Sequence, residues 1–286
     1  MSVTEHAQFL KSLPDPIYKF LSQSWIDTEF PRHLFIETCA QCNLKCPYCP
    51  REDNKGNMPW EMFTRIIDEA TLYGKRSFSL HLFNEPFLYP RIFEAIEYIK
   101  KKNKRHTILL TTNGTTLNVH VDRLLKSDVD KVIWSWRPEA KFSEATKEKL
   151  RSWGKLTVRM IEETVPKEER DYWESWPSVE IRNLHNYGGE ISLENFGAKP
   201  TVGSRWPCYH LWLAPAVAWN GNILVCCSDP HQKEVLGNLA DMTVSEAWKK
   251  MDGIRKAHLR GEFTGICKDC DVWKNYPDLF FSWQKS

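Results

Sequence analysis

Nine cysteines carry the first chemical signal in this 286-residue chain. Four form one run, Cys39, Cys42, Cys46 and Cys49. Five lie in the last third, Cys208, Cys226, Cys227, Cys267 and Cys270, and none falls between the two groups. Cysteines serving as core filler would be scattered, whereas two separate thiolate sites would leave such a gap. The odd count, with no export signal between Met1 and Pro14, argues against a disulfide framework. Cys42, Cys46 and Cys49 make a C-x3-C-x2-C loop. Three thiolates this close can wrap one face of a cubane iron–sulfur cluster. Such a cluster normally takes four cysteines, so one iron would be left open to a non-protein ligand. The competing reading is a structural zinc knuckle, with Cys39-x2-Cys42 and Cys46-x2-Cys49 closing on one tetrahedral ion. In the last third, Cys208, Cys226, Cys267 and Cys270 suffice for one closed metal site, iron–sulfur or zinc, with Cys227 spare. Trp219 to Cys227 reads as a hairpin turning at Asn220-Gly221, which puts Cys226 on the return strand.

These residues need a scaffold, and hydrophobic periodicity supplies one. Strand-like runs cover Leu34–Thr38, Ser77–Leu82, Thr107–Thr111, Lys131–Trp136, Leu156–Ile161 and Val179–Leu184. Helical patterns cover Glu61–Tyr73, Arg91–Lys101, Val119–Leu125, Ser143–Trp153 (Ser143 as N-cap) and Lys167–Ser175. Six strands, the first five each followed by a helix, imply a parallel α/β sheet with right-handed crossovers. Periodicity leaves open a doubly wound sheet or a partial barrel; in either, ligands collect at the carboxyl ends of the strands. The first cysteine loop leaves such an end. Residues 1–30 read as a helical extension, 31–200 as the α/β domain and 201–286, rich in Gly, Pro, Trp and Cys, as a smaller second module.

Composition narrows the function classes. Lys+Arg total 39 and Asp+Glu 37, so there is no general nucleic-acid signal. No apolar run reaches the ~18 residues of a membrane span. The 13 tryptophans are expected in the core or walling a dry cavity.

The loop Cys42 to Cys49, with Tyr48 before its last cysteine and a first-strand location, resembles the signature of the radical S-adenosylmethionine (radical SAM) superfamily. The resemblance implies a partial (β/α)6 barrel, a 4Fe-4S cluster whose open iron chelates SAM, and a 5′-deoxyadenosyl radical that abstracts a substrate hydrogen. It gives Cys39 no ligand role. Asn84-Glu85-Pro86 resembles the family's Gly-Glu-Pro motif, with Asn84 replacing the usual Gly. By that resemblance Glu85 meets the SAM amine, Asn113 belongs to the cofactor site, and Ser135 and Arg159 contact the SAM ribose and carboxylate. Arg182 and His185, at the end of the sixth strand, are candidate substrate contacts. The C-terminal marks are Gly221-x4-Cys226, Leu236-Gly-Asn-Leu, a helix bearing Trp248 and Cys267-x2-Cys270. They resemble the SPASM or shorter twitch extension, which implies a second 4Fe-4S cluster on Cys208, Cys226, Cys267 and Cys270, with Cys227 buried beside it.

The resulting expectation is a cytoplasmic oxidoreductase acting on a small polar substrate, with electron transfer to the auxiliary cluster and a one-electron donor such as flavodoxin or ferredoxin. A peptide or protein maturase, a redox-neutral epimerase or isomerase, and a non-catalytic zinc protein are the alternatives. The spare cysteines, the acid–base group and the substrate carry no motif.

Overall fold

The structure is a computed structural model that describes residues 29–198, 205 and 207–274. The expected N-terminal helix lies outside the described residues. Six parallel strands follow one another in space as they do in sequence: β1 (His33–Ile36), β2 (Ser77–Ser79), β3 (Thr107–Thr112), β4 (Lys131–Ser135), β5 (Leu156–Ile161) and β6 (Val179–Arg182). Between them run α1 (Trp60–Leu72), α2 (Ile92–Lys102), α3 (Leu117–Leu125), α4 (Glu144–Trp153) and α5 (Lys167–Trp173).

This order decides what periodicity left open. A doubly wound sheet reverses direction part-way and so puts helices on both faces. Here each crossover steps the same way, and right-handed connections then keep the helices on one side. The product is an open part-barrel rather than a closed one. The helices form because their apolar residues fall on one stripe. In α1, Phe63, Ile66, Ile67 and Ala70 are buried; in α2, Ile92, Phe93, Ala95, Ile96 and Ile99 are. Ser143 caps α4, its hydroxyl accepting from the Thr146 amide at 3.1 Å.

Four strands end earlier than the sequence pattern indicated: β1 at Ile36, β2 at Ser79, β4 at Ser135 and β6 at Arg182. The apolar residues beyond those ends line loops over the strand tips, and their burial imitates strand periodicity.

The C-terminal segment continues the same sheet. After α6 (His210–Leu213), β7 (Ala216–Val217) pairs parallel with β1, Phe35 opposite Ala216 and Ile36 opposite Val217. Then β8 (Asn222–Leu224) and β9 (Val235–Asn238) add antiparallel. The expected Asn220-Gly221 turn is present, closed by the Gly221 amide donating to Ala218 O at 2.9 Å. Cys226, expected on the return strand, lies two residues past the end of β8. α7 (Val244–Lys250), capped by a Thr243/Glu246 box, and α8 (Asp252–Leu259) follow. Trp134, Trp212 and Trp248 are fully buried core residues.

One turn has little freedom. Gly114, just past β3, sits at φ +83°, and a Cβ there would meet the Trp134 ring at 2.3 Å. Gly74 has the same φ with open space around it. Gly114→Ala should therefore cost roughly 2–4 kcal/mol, strain plus overpacking, against about 1 kcal/mol of strain alone for Gly74→Ala. Denaturant midpoints of the two variants check this; equal losses would show that the Trp134 contact yields.

Candidate active site

The carboxyl ends of the parallel strands surround a cavity of about 270 Å³. The first cysteine loop covers one side of it. Cys49 and Tyr48 line it directly, and the Cys49 amide donates to Cys46 O at 3.0 Å. Two residues from strand ends hold the other thiols. Asn113, after β3, directs its Nδ2 at Cys42 Sγ (3.7 Å) and Asn43 Oδ1 (2.9 Å). Arg137, after β4, donates from Nε to Cys46 Sγ at 3.2 Å and lies over the Tyr48 ring. Sequence reasoning missed Arg137. Its signal was available: a cationic side chain two residues beyond a strand's carboxyl end. Cys39 is fully buried away from this wall, its thiol donating to Glu85 O at 3.6 Å.

Asn113, Ser135, Arg159, Arg182 and His185 all line the cavity. Glu85 does not. Its carboxylate accepts from Thr112 Oγ1 (2.7 Å), the Asn113 amide (2.7 Å) and the Phe87 amide (3.3 Å). These bonds fix the loop that carries Asn113, and Phe83 and Asn84 face the cavity. Asn84 manages without glycine because its backbone does not enter positive φ. Its Oδ1 instead accepts from the Leu82 amide at 2.8 Å.

Cys208, Cys226, Cys267 and Cys270 line one further cavity, with Leu211, Ile266 and Trp273. His210, Ser228 and Val272 line both cavities and so form the wall between them. Cys227, expected beside the four, faces the larger cavity, 3.9 Å from His210 Nδ1. Adjacent residues in the turn after β8 point to opposite sides of the wall, which separates Cys226 from Cys227. The Cys267–Cys270 loop is held to the end of β6. Asn186 and Asp271 exchange backbone-to-side-chain bonds at 2.8 and 3.2 Å, and Asn186 Nδ2 donates to Asp269 O at 2.6 Å. The four thiols line one common space, a donor set that fits a 4Fe-4S cluster. Burial pushes the Cys267 thiol up to about 12, so ligation there must displace protons.

On the opposite wall Glu180 bonds both Arg159, at 2.7 Å, and Arg182. Burial alone would raise the Glu180 carboxyl; the two guanidinium groups outweigh it and hold it at about 2. Burial, assisted by Arg182, lowers Arg159 to about 10. Burial also drives histidines neutral: His33, His81 and His210 to about 3, and His185, with Arg182 and Arg159 nearby, to about 4. His258 follows to about 4. Burial raises Glu37 and Glu85 to about 7. These two effects oppose each other in pH. The histidines contribute stability present above about 6.5 and lost as pH falls toward 3–4. The carboxyls contribute stability present below about 4.5 and lost as pH rises through 7. Five groups outweigh two, so Tm should fall by roughly 5–10 °C between pH 7 and pH 5.5. His81→Asn should flatten that slope; a Tm rising on acidification would show the carboxyls dominate.

Comparison with known proteins agrees with this geometry. Residues 36–133 match the family model described as the radical SAM superfamily, and residues 208–271 match the iron–sulfur cluster-binding domain model named SPASM. The S-adenosyl-L-methionine-dependent 2-deoxy-scyllo-inosamine dehydrogenase of Niallia circulans is 24% identical over 82% of this chain and 91% of its own length. A tungsten-containing aldehyde ferredoxin oxidoreductase cofactor-modifying protein of Pyrococcus furiosus is 29% identical over 33% of this chain. The chain spans only 26% of that relative. Among solved structures, BtrN in complex with AdoMet and 2-DOIA superposes with TM-score 0.63 at 22% identity, covering 84% of this chain and 93% of BtrN. Streptococcus suis SuiB bound to precursor peptide SuiA gives 0.61 at 17%, covering 90% and 73%. At these identities the superpositions speak for the fold. Strand order, a three-cysteine loop at the first strand end, four thiols around a second cavity and both family models lead to one conclusion: the chain belongs to the radical SAM superfamily and carries a C-terminal SPASM-type iron–sulfur domain.

Proposed function

We propose that this protein is a radical SAM oxidoreductase that removes hydrogen from a carbon of a small polar substrate. Cys42, Cys46 and Cys49 would hold a 4Fe-4S cluster with one iron left for SAM, and Cys208, Cys226, Cys267 and Cys270 a second, closed cluster. When bound, the first with SAM supplies a 5′-deoxyadenosyl radical that takes a hydrogen atom, and the second supplies an electron sink. The observation that carries the reading is the shared wall: His210, Ser228 and Val272 face the strand-end cavity on one side and the four thiols on the other. A substrate in the larger cavity would lie one residue layer from the second site, which suits electron transfer.

The chain's own groups do the rest. Asn113 and Arg137 set the loop thiols, Ser135 and Arg159 remain on the cavity wall for SAM, and Arg182 and His185 face the space beside it. The likeness to the Niallia circulans dehydrogenase over most of both chains favours oxidation of a hydroxyl-bearing small molecule. The superposition on SuiB with its precursor peptide keeps a peptide substrate as the second reading. An external one-electron donor of the flavodoxin or ferredoxin type would complete the cycle.

Replacing Cys42, Cys46 and Cys49 together by Ala should abolish 5′-deoxyadenosine formation and leave about half the iron, since each cubane holds the same number of atoms. Cys267→Ala with Cys270→Ala should leave SAM cleavage but stop substrate turnover. Iron and sulfide analysis with chromatography of 5′-deoxyadenosine checks both. Normal turnover in the second variant would remove the electron-sink role, and zinc without sulfide in anaerobically purified protein would remove the enzyme reading.

A further inference from the structure

The strand-end cavity has a one-sided charge. Arg137, Arg159 and Arg182 line it, and among the described residues no Asp or Glu does. The three histidines on its wall, His81, His185 and His210, are held neutral by burial. The carboxylate behind the wall that bonds these guanidinium groups is Glu180, which Arg159 and Arg182 share. Arg137 is engaged with Cys46 of the cysteine loop and the carbonyl of Trp136. One carboxylate between Arg159 and Arg182 leaves one positive charge uncompensated in a poorly solvated place, where such a charge is costly. SAM does not remove the excess, because its sulfonium, ammonium and carboxylate sum to one further positive charge. The Nε of Arg182 is buried with no hydrogen-bond partner among the described residues.

We propose that Arg182 is the specificity-determining contact for an oxyanion on the substrate, a carboxylate or a phosphate. This deepens the function proposed above and rests on it. A guanidinium presents planar, paired donors that match either group, and an uncompensated charge is the partner an anion needs. A substrate ammonium, by contrast, would meet three guanidinium groups and no carboxylate on the wall. Selectivity therefore runs against amino-sugar-like cations and toward acids or phosphate esters.

The test uses anaerobically reconstituted, full-length protein saturated with SAM, so that any arginine SAM itself requires is already occupied. Inorganic phosphate, malonate and ethanolamine are titrated, with tryptophan fluorescence and Tm as readouts that need no turnover. Phosphate or malonate should bind and raise Tm, and ethanolamine should do neither. The stronger of the two anions identifies the group as phosphate or carboxylate. Arg182→Gln should weaken anion binding about tenfold, the loss of a charge-assisted pair. Glu180→Gln, which removes the competing carboxylate, should tighten it several-fold, a gain that misfolding cannot imitate. Ethanolamine binding as well as the anions, or anion affinity unmoved in both variants, overturns the proposal. Formation of 5′-deoxyadenosine is followed in parallel, so loss of the radical reading and loss of the anion reading appear in separate measurements.

Discussion

Two residue pairs between β1 and β7 hold the two halves of the chemistry together. The Phe35 amide donates to Pro215 O at 3.2 Å and the Glu37 amide to Val217 O at 2.9 Å, so a strand more than 170 positions later continues the sheet from the strand that launches the first cysteine loop. Because β7 is parallel to β1, its carboxyl end points the same way, and the hairpin beyond it emerges on the cavity side. Glu37 strengthens the joint by accepting from the Trp219 amide at 3.3 Å, and the Trp219 ring packs where a side chain at residue 56 would otherwise stand. The Asn186–Asp271 exchange fastens the other end of the module to the tip of β6. The C-terminal segment thus reaches from the first parallel strand to the last across the open side of a part-barrel. That is why its four thiols gather behind one wall of the cavity rather than at a distance.

The same geometry sets the character of the cavity. Unidirectional crossovers leave the strand carboxyl ends uncovered by helices, and polar side chains just past those ends face inward. Each such residue must satisfy its own hydrogen bonds before it can serve a ligand. Glu85 accepts three bonds from neighbouring loops and so holds Asn113. Arg137 is committed to a thiol. Asn84 closes its own turn. Under the proposed function, the wall residues left for cofactor and substrate are Ser135, Arg159, Arg182 and His185.

The sequence carried the fold and the thiols because both leave period or spacing marks. Apolar stripes located α1 and α2 to within a residue, and cysteine clustering separated a run of four from a group of five. Strand order was legible only through the resemblance, since periodicity does not record which neighbour a strand chooses. The β1–β7 pairing had no local mark at all: two residues of each strand, Ala216 and Val217 among them, are too short to show alternation. Glu85 and Cys227 show what spacing does not record. A motif gives a residue's place along the chain, while which way its side chain turns depends on donors contributed from elsewhere, Thr112 and Asn113 in one case and the turn after β8 in the other.

Protonation further divides the residues that chemistry could use. Removal of hydrogen from a carbon bearing a hydroxyl must finish with a proton leaving, so some group near the substrate has to accept it. His81 Nδ1 already accepts from the Thr111 amide at 3.1 Å. The neutral ring therefore carries its hydrogen on Nε2 and can only donate. His210 has its Nδ1 turned to the Cys227 sulfur. For His185 neither ring nitrogen has a hydrogen-bond partner among the described residues. Burial and the adjacent Arg182 and Arg159 keep it unprotonated. The same arginines make the neutral imidazole a reluctant base; under the proposed function, an anion bound against Arg182 would offset their charge and raise the basicity of His185, which would tie substrate binding to proton removal.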